Sequence, residues 1–409
     1  MACSVSRYRV PHTGNQRPRN AHPRGISDQF NCDFSALGHS TPRFPRAGVV
    51  RIHPVPTRMK YLYQGTVCSS WRKVLGPLAE AGYHVVAPDQ RGYGRTKSPQ
   101  TGFPIAYGDD LNPFRMTNLV KDVVTLVYAL GYQTAAAVVG HDFGSPVAAY
   151  CALIRPDIFK SVVMMSAPFT GPPTLAVGNG NNNGTASAPA RVDLAKVAAA
   201  LAALDPPRKH YVLYYSTPDA NADMMNARRG LRAFLREYYH VKSADAAHDV
   251  TPHPLAALQA SVMAELPHYY VMPLHKTMPE SVHGSGPSAE EIARNAWLTE
   301  EELGLYVAEY TRTGFQGGLN SYRMATSANW SSDRELFSGK QIDVPAMFLA
   351  GKQDWGTYQM PGSAEAMQKQ ACKNMDDFVL IEGAGHWVQQ ERSGEVVVQL
   401  LRFFRKCAE

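Results

Sequence analysis

Ala135-Ala-Ala-Val-Val-Gly140-His-Asp142-Phe-Gly144-Ser-Pro146 is the stretch on which the fold turns. Ala135–Gly140 is a short, continuously apolar run, and Pro146–Ile154 is a largely apolar helix. The spacing between them leaves room only for a tight turn with small residues at both ends. Working outward, Tyr83–Pro88 and Lys160–Ala167 read as further buried strands. Ser69–Gly82 reads as a helix, and so does Asn112–Gly131, with Leu119, Val123, Val127 and Leu130 on one stripe and Gly131 as its stop. Apolar strands alternating with helices predict a mostly parallel sheet covered on both faces, an α/β fold. The rhythm breaks at the low-complexity run Gly178–Gly184, beyond which the pattern is mainly helical with no convincing buried strand. Strand texture returns at Val344–Ala350 and Phe378–Ile381, and Gly394–Lys406 is a closing helix. A helical block inserted into such a sheet predicts a cap over the strand ends, where these sheets bind ligands. The boundaries expected are a core over residues 61–170 and 335–409 and a cap over 171–334.

The turn itself carries chemistry. Gly140-His-Asp-Phe-Gly144 exposes its middle side chain above the sheet, facing the N–H groups of the helix that follows. A serine there performs acyl transfer. A carboxylate instead attacks a strained ring or displaces a leaving group at saturated carbon, leaving an alkyl ester on the enzyme. The plainer alternative for Asp142 is a helix N-cap. Its partners weigh against that. Asp354, in Ala350-Gly-Lys-Gln-Asp354-Trp, follows one returning strand, and His386, in Gly383-Ala-Gly-His386-Trp, follows the next. Nucleophile, acid, histidine is the chain order expected of a triad on this kind of sheet.

Composition narrows the class. The chain has 409 residues, 44% of them hydrophobic, and a formal net charge of +6. Residues 1–60 hold ten Lys or Arg against two acids, so the rest carries 31 basic against 33 acidic side chains. A near-neutral body has no footprint for nucleic acid. The basic segment 1–60, rich in Pro, Arg and His, shows neither helix nor strand period and is expected to be atypical or disordered. Six cysteines scattered without CxxC spacing predict unpaired thiols rather than a zinc site. With no apolar run long enough to span a bilayer and no secretory h-region, a cytoplasmic protein is expected.

Pro88-Asp-Gln-Arg-Gly-Tyr-Gly94 and Val138-Val-Gly-His-Asp-Phe-Gly144, with the Asp354 and His386 loops, resemble the epoxide hydrolases of the α/β-hydrolase fold in their large-cap branch. The resemblance runs from about Trp71 to the C-terminus. It implies that Asp142 attacks an epoxide carbon and that His386, oriented by Asp354, drives water onto the ester, with no metal or organic cofactor. It also implies two cap tyrosines holding the epoxide oxygen. Tyr322, in Thr313-Gly-Phe-Gln-Gly-Gly-Leu-Asn-Ser-Tyr322, fits one. Tyr211, in Lys209-His-Tyr-Val-Leu-Tyr-Tyr215, fits the other, with Tyr214 and Tyr215 as competitors. The partners implied are a small lipophilic epoxide and, as a possible assembly, a homodimer.

One departure stands out. The family carries His-Gly-x-Pro after its third strand, and the N–H of x joins that of the residue after the nucleophile, here Phe143, in an oxyanion hole. Leu62–Gly65 reads Leu-Tyr-Gln-Gly instead, and His53-Pro-Val-Pro56 stands too early. The apolar strands expected ahead of it are missing, so an unpaired sheet edge and an impaired enzyme are expected. Two rivals follow. A haloalkane or haloacid dehalogenase shares the Asp nucleophile, but Phe143 replaces the halide-binding Trp and no arginine lies between Asp142 and Arg155. A non-catalytic relative that only binds a small molecule is the other.

Overall fold

The computed structural model describes residues 2–5, 59–64, 68–96, 105–175, 193–246, 250–327 and 332–408, with backbone alone for 2–5 and 59–64. The described residues include nine strands: β1 Ala2–Val5, β2 Met59–Gln64, β3 His84–Pro88, β4 Ala137–His141, β5 Val162–Met165, β6 Arg208–His210, β7 Val271–Pro273, β8 Ala346–Gly351 and β9 Asp377–Ile381. Seven form one sheet in the order β1-β3-β2-β4-β5-β8-β9, parallel throughout except for β1, which runs antiparallel to β3.

The apolar runs of β4, β5 and β8 exist because both sheet faces are covered. Val138, Val162, Met164 and Phe348 point to one side, against helices Met116–Ala129 and Gly144–Ile154. Their neighbours Val139, Val163, Met165 and Met347 point to the other, against helices Arg72–Glu80 and Ser393–Lys406. Every one of these side chains is buried, which is the period-2 signature of a doubly covered strand. Gly131, at φ 82°, ends its helix: its N–H donates to Tyr128 O at 2.9 Å and that of Tyr132 to Val127 O at 3.1 Å, a Schellman closure.

Between β5 and β8 the described chain is helices and connecting loops apart from the β6–β7 ribbon. Its apolar core includes Trp355 and Trp387, which rise from the loops after β8 and β9, so those loops and the inserted helices share one packed interior.

Four expectations are corrected. The helix read as Asn112–Gly131 is a 3₁₀ turn, Asn112–Phe114, and then a helix from Met116; Pro113 suits the turn. The inserted block does contain a strand pair with Val271 and Met272 fully buried, too short to register as a period. Cys68 is disulfide-bonded, so the cysteines are not all unpaired thiols; Cys151 and Cys372 are free. Finally, the sheet edge beside β3 is not bare, because Ala2–Val5 pairs with Val85–Pro88 there. Strand β2 likewise begins inside the segment expected to be disordered, at Met59, and pairs with β3 and β4, whereas residues 6–58, with His53-Pro-Val-Pro56, lie outside the described residues. Among the described residues no helix is long and apolar enough to cross a membrane.

Candidate active site

The sharp turn between β4 and the helix Gly144–Ile154 sets Asp142 at φ 52°, a left-handed backbone that costs an L-residue on the order of 1–3 kcal/mol. It can close only because its ends are glycine: a Cβ on Gly140 would stand 2.0 Å from Gly144 O. The fold holds the strain with two backbone bonds, Asp142 N–H to Met165 O at 3.1 Å and Ser145 N–H to Asp142 O at 2.9 Å. The Phe143 N–H donates to Asp142 Oδ1 at 2.5 Å. Phe143, the expected oxyanion donor, thus turns its N–H onto the carboxylate beside it. The second donor is expected near Leu62–Gly65, where β2 ends at Gln64 and Gly65 lies outside the described residues.

The loops after β8 and β9 bring the other two residues to the same place. Asp354 is 2% exposed and accepts the Gly356 N–H at 2.7 Å. His386 Nε2 lies 2.8 Å from Asp142 Oδ2, and its Nδ1 lies 3.2 Å from both Asp354 oxygens. The Nδ1–H is thus pointed at the orienting carboxylate and Nε2 at the candidate nucleophile. The side chain of Asp142 is 36% exposed, but that surface is cavity wall rather than bulk water.

Electrostatics follow from this packing. Burial opposes ionisation of Asp142, yet the hydrogen bond and charge of His386, with Lys242 and His141, hold its carboxyl well below the usual range. Asp354 is likewise held down against burial, by His386, the Gly356 N–H and Lys242. Burial and Lys242 lower the affinity of His386 for its proton, but the two aspartates outweigh them and leave it above the ordinary value. Behind it, His141 Nε2–H donates to the His386 carbonyl at 2.7 Å, and burial, then His386, hold its ring down at about 4.

Above Asp142 lies a cavity of about 800 Å³, mouth included, walled by Tyr93, Phe143, Tyr215, Tyr238, Lys242 and Tyr322 among others. The helix Gln316–Thr326 lays Tyr322 edge-on over Phe143, ring centroids 4.5 Å apart. Two adjacent glycines permit that approach, since a Cβ on Gly317 would stand 1.8 Å from Gly92 O and one on Gly318 2.5 Å from the Tyr93 hydroxyl. The two motifs around Gly92 and Gly317 are thus one interface. Tyr211 packs 5.7 Å from Tyr322, its hydroxyl donating to Gln359 Oε1 at 3.3 Å. Burial pushes both phenols well above their ordinary value, and the Asp142 charge adds to each, so both remain proton donors at neutral pH. Of the competitors, Tyr214 is committed to Asp223 at 2.9 Å. Tyr215 forms cavity wall, where Tyr211 does not, and donates to Tyr238 at 3.4 Å. Among the described residues no three His, Cys, Asp or Glu side chains converge as a metal site would need.

Several residues here carried no sequence signal. Tyr93 and Tyr238 line the cavity as two of twenty tyrosines, and Lys242 follows the helix Leu231–Val241 like any basic residue at a helix end. Glu391 accepts the N–H groups of Gly385 and Trp387, both at 2.9 Å, and of Ala244 at 2.8 Å, tying the histidine loop to the inserted block.

This sheet, elbow and capped triad define an α/β hydrolase with aspartate at the nucleophile position. A family model described as alpha/beta hydrolase fold matches residues 64–239. Epoxide hydrolase A of Mycobacterium tuberculosis is 31% identical over 82% of this chain and 85% of its own length, and epoxide hydrolase 3 of Siraitia grosvenorii is 28% identical over 82% and 88%. An epoxide hydrolase from an endophytic Streptomyces superposes with a TM-score of 0.66 at 29% identity, covering 85% of this chain and 89% of that one. The chain belongs to the epoxide hydrolase family of the α/β-hydrolase fold.

Proposed function

We propose that this protein hydrolyses epoxides to vicinal diols through a covalent ester on Asp142. The observation that carries the reading is the Asp142–His386–Asp354 array under two buried phenols, Tyr211 and Tyr322. An Asp142 oxygen attacks an epoxide carbon, and the C–O bond that breaks leaves its electrons on the ring oxygen, which takes a proton from a tyrosine. His386 then removes a proton from water, and the hydroxide adds to the Asp142 carboxyl carbon. Collapse of that intermediate expels the diol, as the protons on His386 and on the new carboxyl pass to the leaving alkoxide and the tyrosinate, and leaves one water oxygen in the carboxylate. The acceptor is a small lipophilic epoxide, to match a wall that includes Met224, Phe234, Leu235, Phe315 and Leu319.

Halide displacement is less well supplied with donors. The Phe143 N–H is turned onto Asp142, and the Trp387 indole N–H is spent on Tyr239 O at 2.8 Å. A single turnover in ¹⁸O-water tests the route, because the ester mechanism puts the label into the protein and releases a first diol without it. Label in that first diol would mean direct attack of water. Asp142→Asn should abolish diol formation, and an undiminished initial rate in a folded variant would remove Asp142 from the mechanism.

A further inference from the structure

His386 lies between two carboxylates, 2.8 Å from one and 3.2 Å from the other. Such a setting favours the imidazolium, which cannot take a proton from water. Forming the ester discharges Asp142 but leaves the Asp354 charge against Nδ1. A base for the second half-reaction needs a positive charge nearby that does not itself block Nε2.

Lys242 is such a charge. It is 6% exposed and walls the same cavity as Asp142 and His386. Its backbone carbonyl accepts the His386 N–H at 2.8 Å, which fixes it to the histidine loop. Its Nζ lies 5.3, 5.8, 5.3 and 5.4 Å from the ring centres of Tyr238, Tyr269, Tyr270 and Trp387. Among the described residues no carboxylate lies within ion-pair distance of it. Ring faces hold a cation without cancelling its field, as a carboxylate would. That field reaches Asp142 and Asp354, favouring their charged forms, and His386, favouring its neutral form.

The other groups facing His386 do not do this. His141, ring centres 4.9 Å apart, is held neutral by burial. Glu391, bonded to the N–H groups on either side, can only add negative charge. The phenols of Tyr93, Tyr211, Tyr269, Tyr270 and Tyr322 are all pushed upward by burial and stay uncharged.

We propose that Lys242 is a positioning residue for the second half-reaction: its positive charge, caged by four rings, lets His386 give up its proton once Asp142 has been esterified. The proposal rests on the ester reading, but its primary test needs no turnover. In the full chain carrying Asp142→Asn, whose neutral amide stands in for the ester, the His386 imidazole is titrated by ¹⁵N NMR and assigned by its loss in His386→Gln. Adding Lys242→Met should raise the midpoint by about one pH unit, and Lys242→Arg should restore it. Lys242→Gln reads the same shift where methionine leaves the chain insoluble. An unchanged midpoint in a folded double variant overturns the proposal.

In the enzyme with Asp142 intact, Lys242→Met should move the acid limb of ester hydrolysis upward, and Lys242→Arg should return it. Loss of both steps alike at every pH would instead make Lys242 a packing residue. Failure of the ester reading shows separately, as an enzyme that forms no adduct while the titration shift persists.

Discussion

Tyr322 and Tyr211 feel the charge of Asp142 from two different helices of the inserted block, and Tyr215 forms part of the cavity wall between Tyr238 and Tyr322. Opening an epoxide places negative charge on the ring oxygen, and a phenol O–H counts only if it meets that atom in the transition state. Tyr322→Phe should slow alkylation by about 10²-fold, the low end for a general acid because a second donor remains. Tyr211→Phe should cost a similar amount, and the double variant far more than either. Stopped-flow measurement of adduct formation reads all three. A silent Tyr211→Phe together with a slow Tyr215→Phe would move the second donor to Tyr215.

At the scale of elements, two contacts decide whether the helices of the inserted block meet the core in register. Gly317 touches Gly92 so closely that a methyl group has backbone to displace on both sides. Gly317→Ala should destabilise the fold by about 1–3 kcal/mol, as overpacking does. It should also lower the alkylation rate, because Tyr322 rides on the same helix; denaturant unfolding and adduct kinetics measure the two effects. Unchanged values for both would mean the helix slides freely.

Glu391 is the second contact. Burial pushes its carboxyl up to about 7, even though three backbone N–H groups favour the ionised form. A folded value above the unfolded one means its contribution to stability is full below the ordinary carboxyl range and is lost as pH rises through about 7. Glu391→Gln keeps an acceptor and cannot ionise. Its Tm should therefore fall less than that of the unaltered protein between about pH 5 and about pH 8. An equal fall in both would place the pH sensitivity elsewhere.

For the whole molecule, the oxyanion hole sets the balance between the two half-reactions. Strand β2 ends at Gln64 beside His141, and Leu62–Gly65 lacks the His-Gly-x-Pro of the family. With the Phe143 N–H as the one identified donor, ester hydrolysis should be slower than alkylation, since one missing donor costs about 10²–10³ in rate. Intact-protein mass spectrometry of the unaltered chain with excess styrene oxide should then show a substrate-mass adduct at steady state. Brisk turnover with no adduct would mean that a second backbone N–H completes the hole after all.

Strands β3, β4, β5, β8 and β9, the elbow and the two returning loops were legible in the sequence because each is written locally. A doubly covered strand must be continuously apolar, a left-handed Asp needs glycine at its flanks, and the loops after β8 and β9 carry their acid and base within five residues of the strand end. The edge strand was not legible, because four residues at Ala2–Val5 are too few for a period and their partners, Val85–Pro88, are far away in the chain. The occupants of the cavity were not legible either. A lysine after a helix reads as an ordinary end charge, and only packing against Tyr238, Tyr269, Tyr270 and Trp387 turns Lys242 inward. The choice between Tyr211 and Tyr215 likewise depends on how a five-residue helix is rotated against Tyr322, which is settled by contacts more than a hundred residues distant in the chain. Local sequence thus determined which residues could do the chemistry, and tertiary packing decided which charges and hydroxyls surround them, because electrostatic fields and cavity walls are made by neighbours in space.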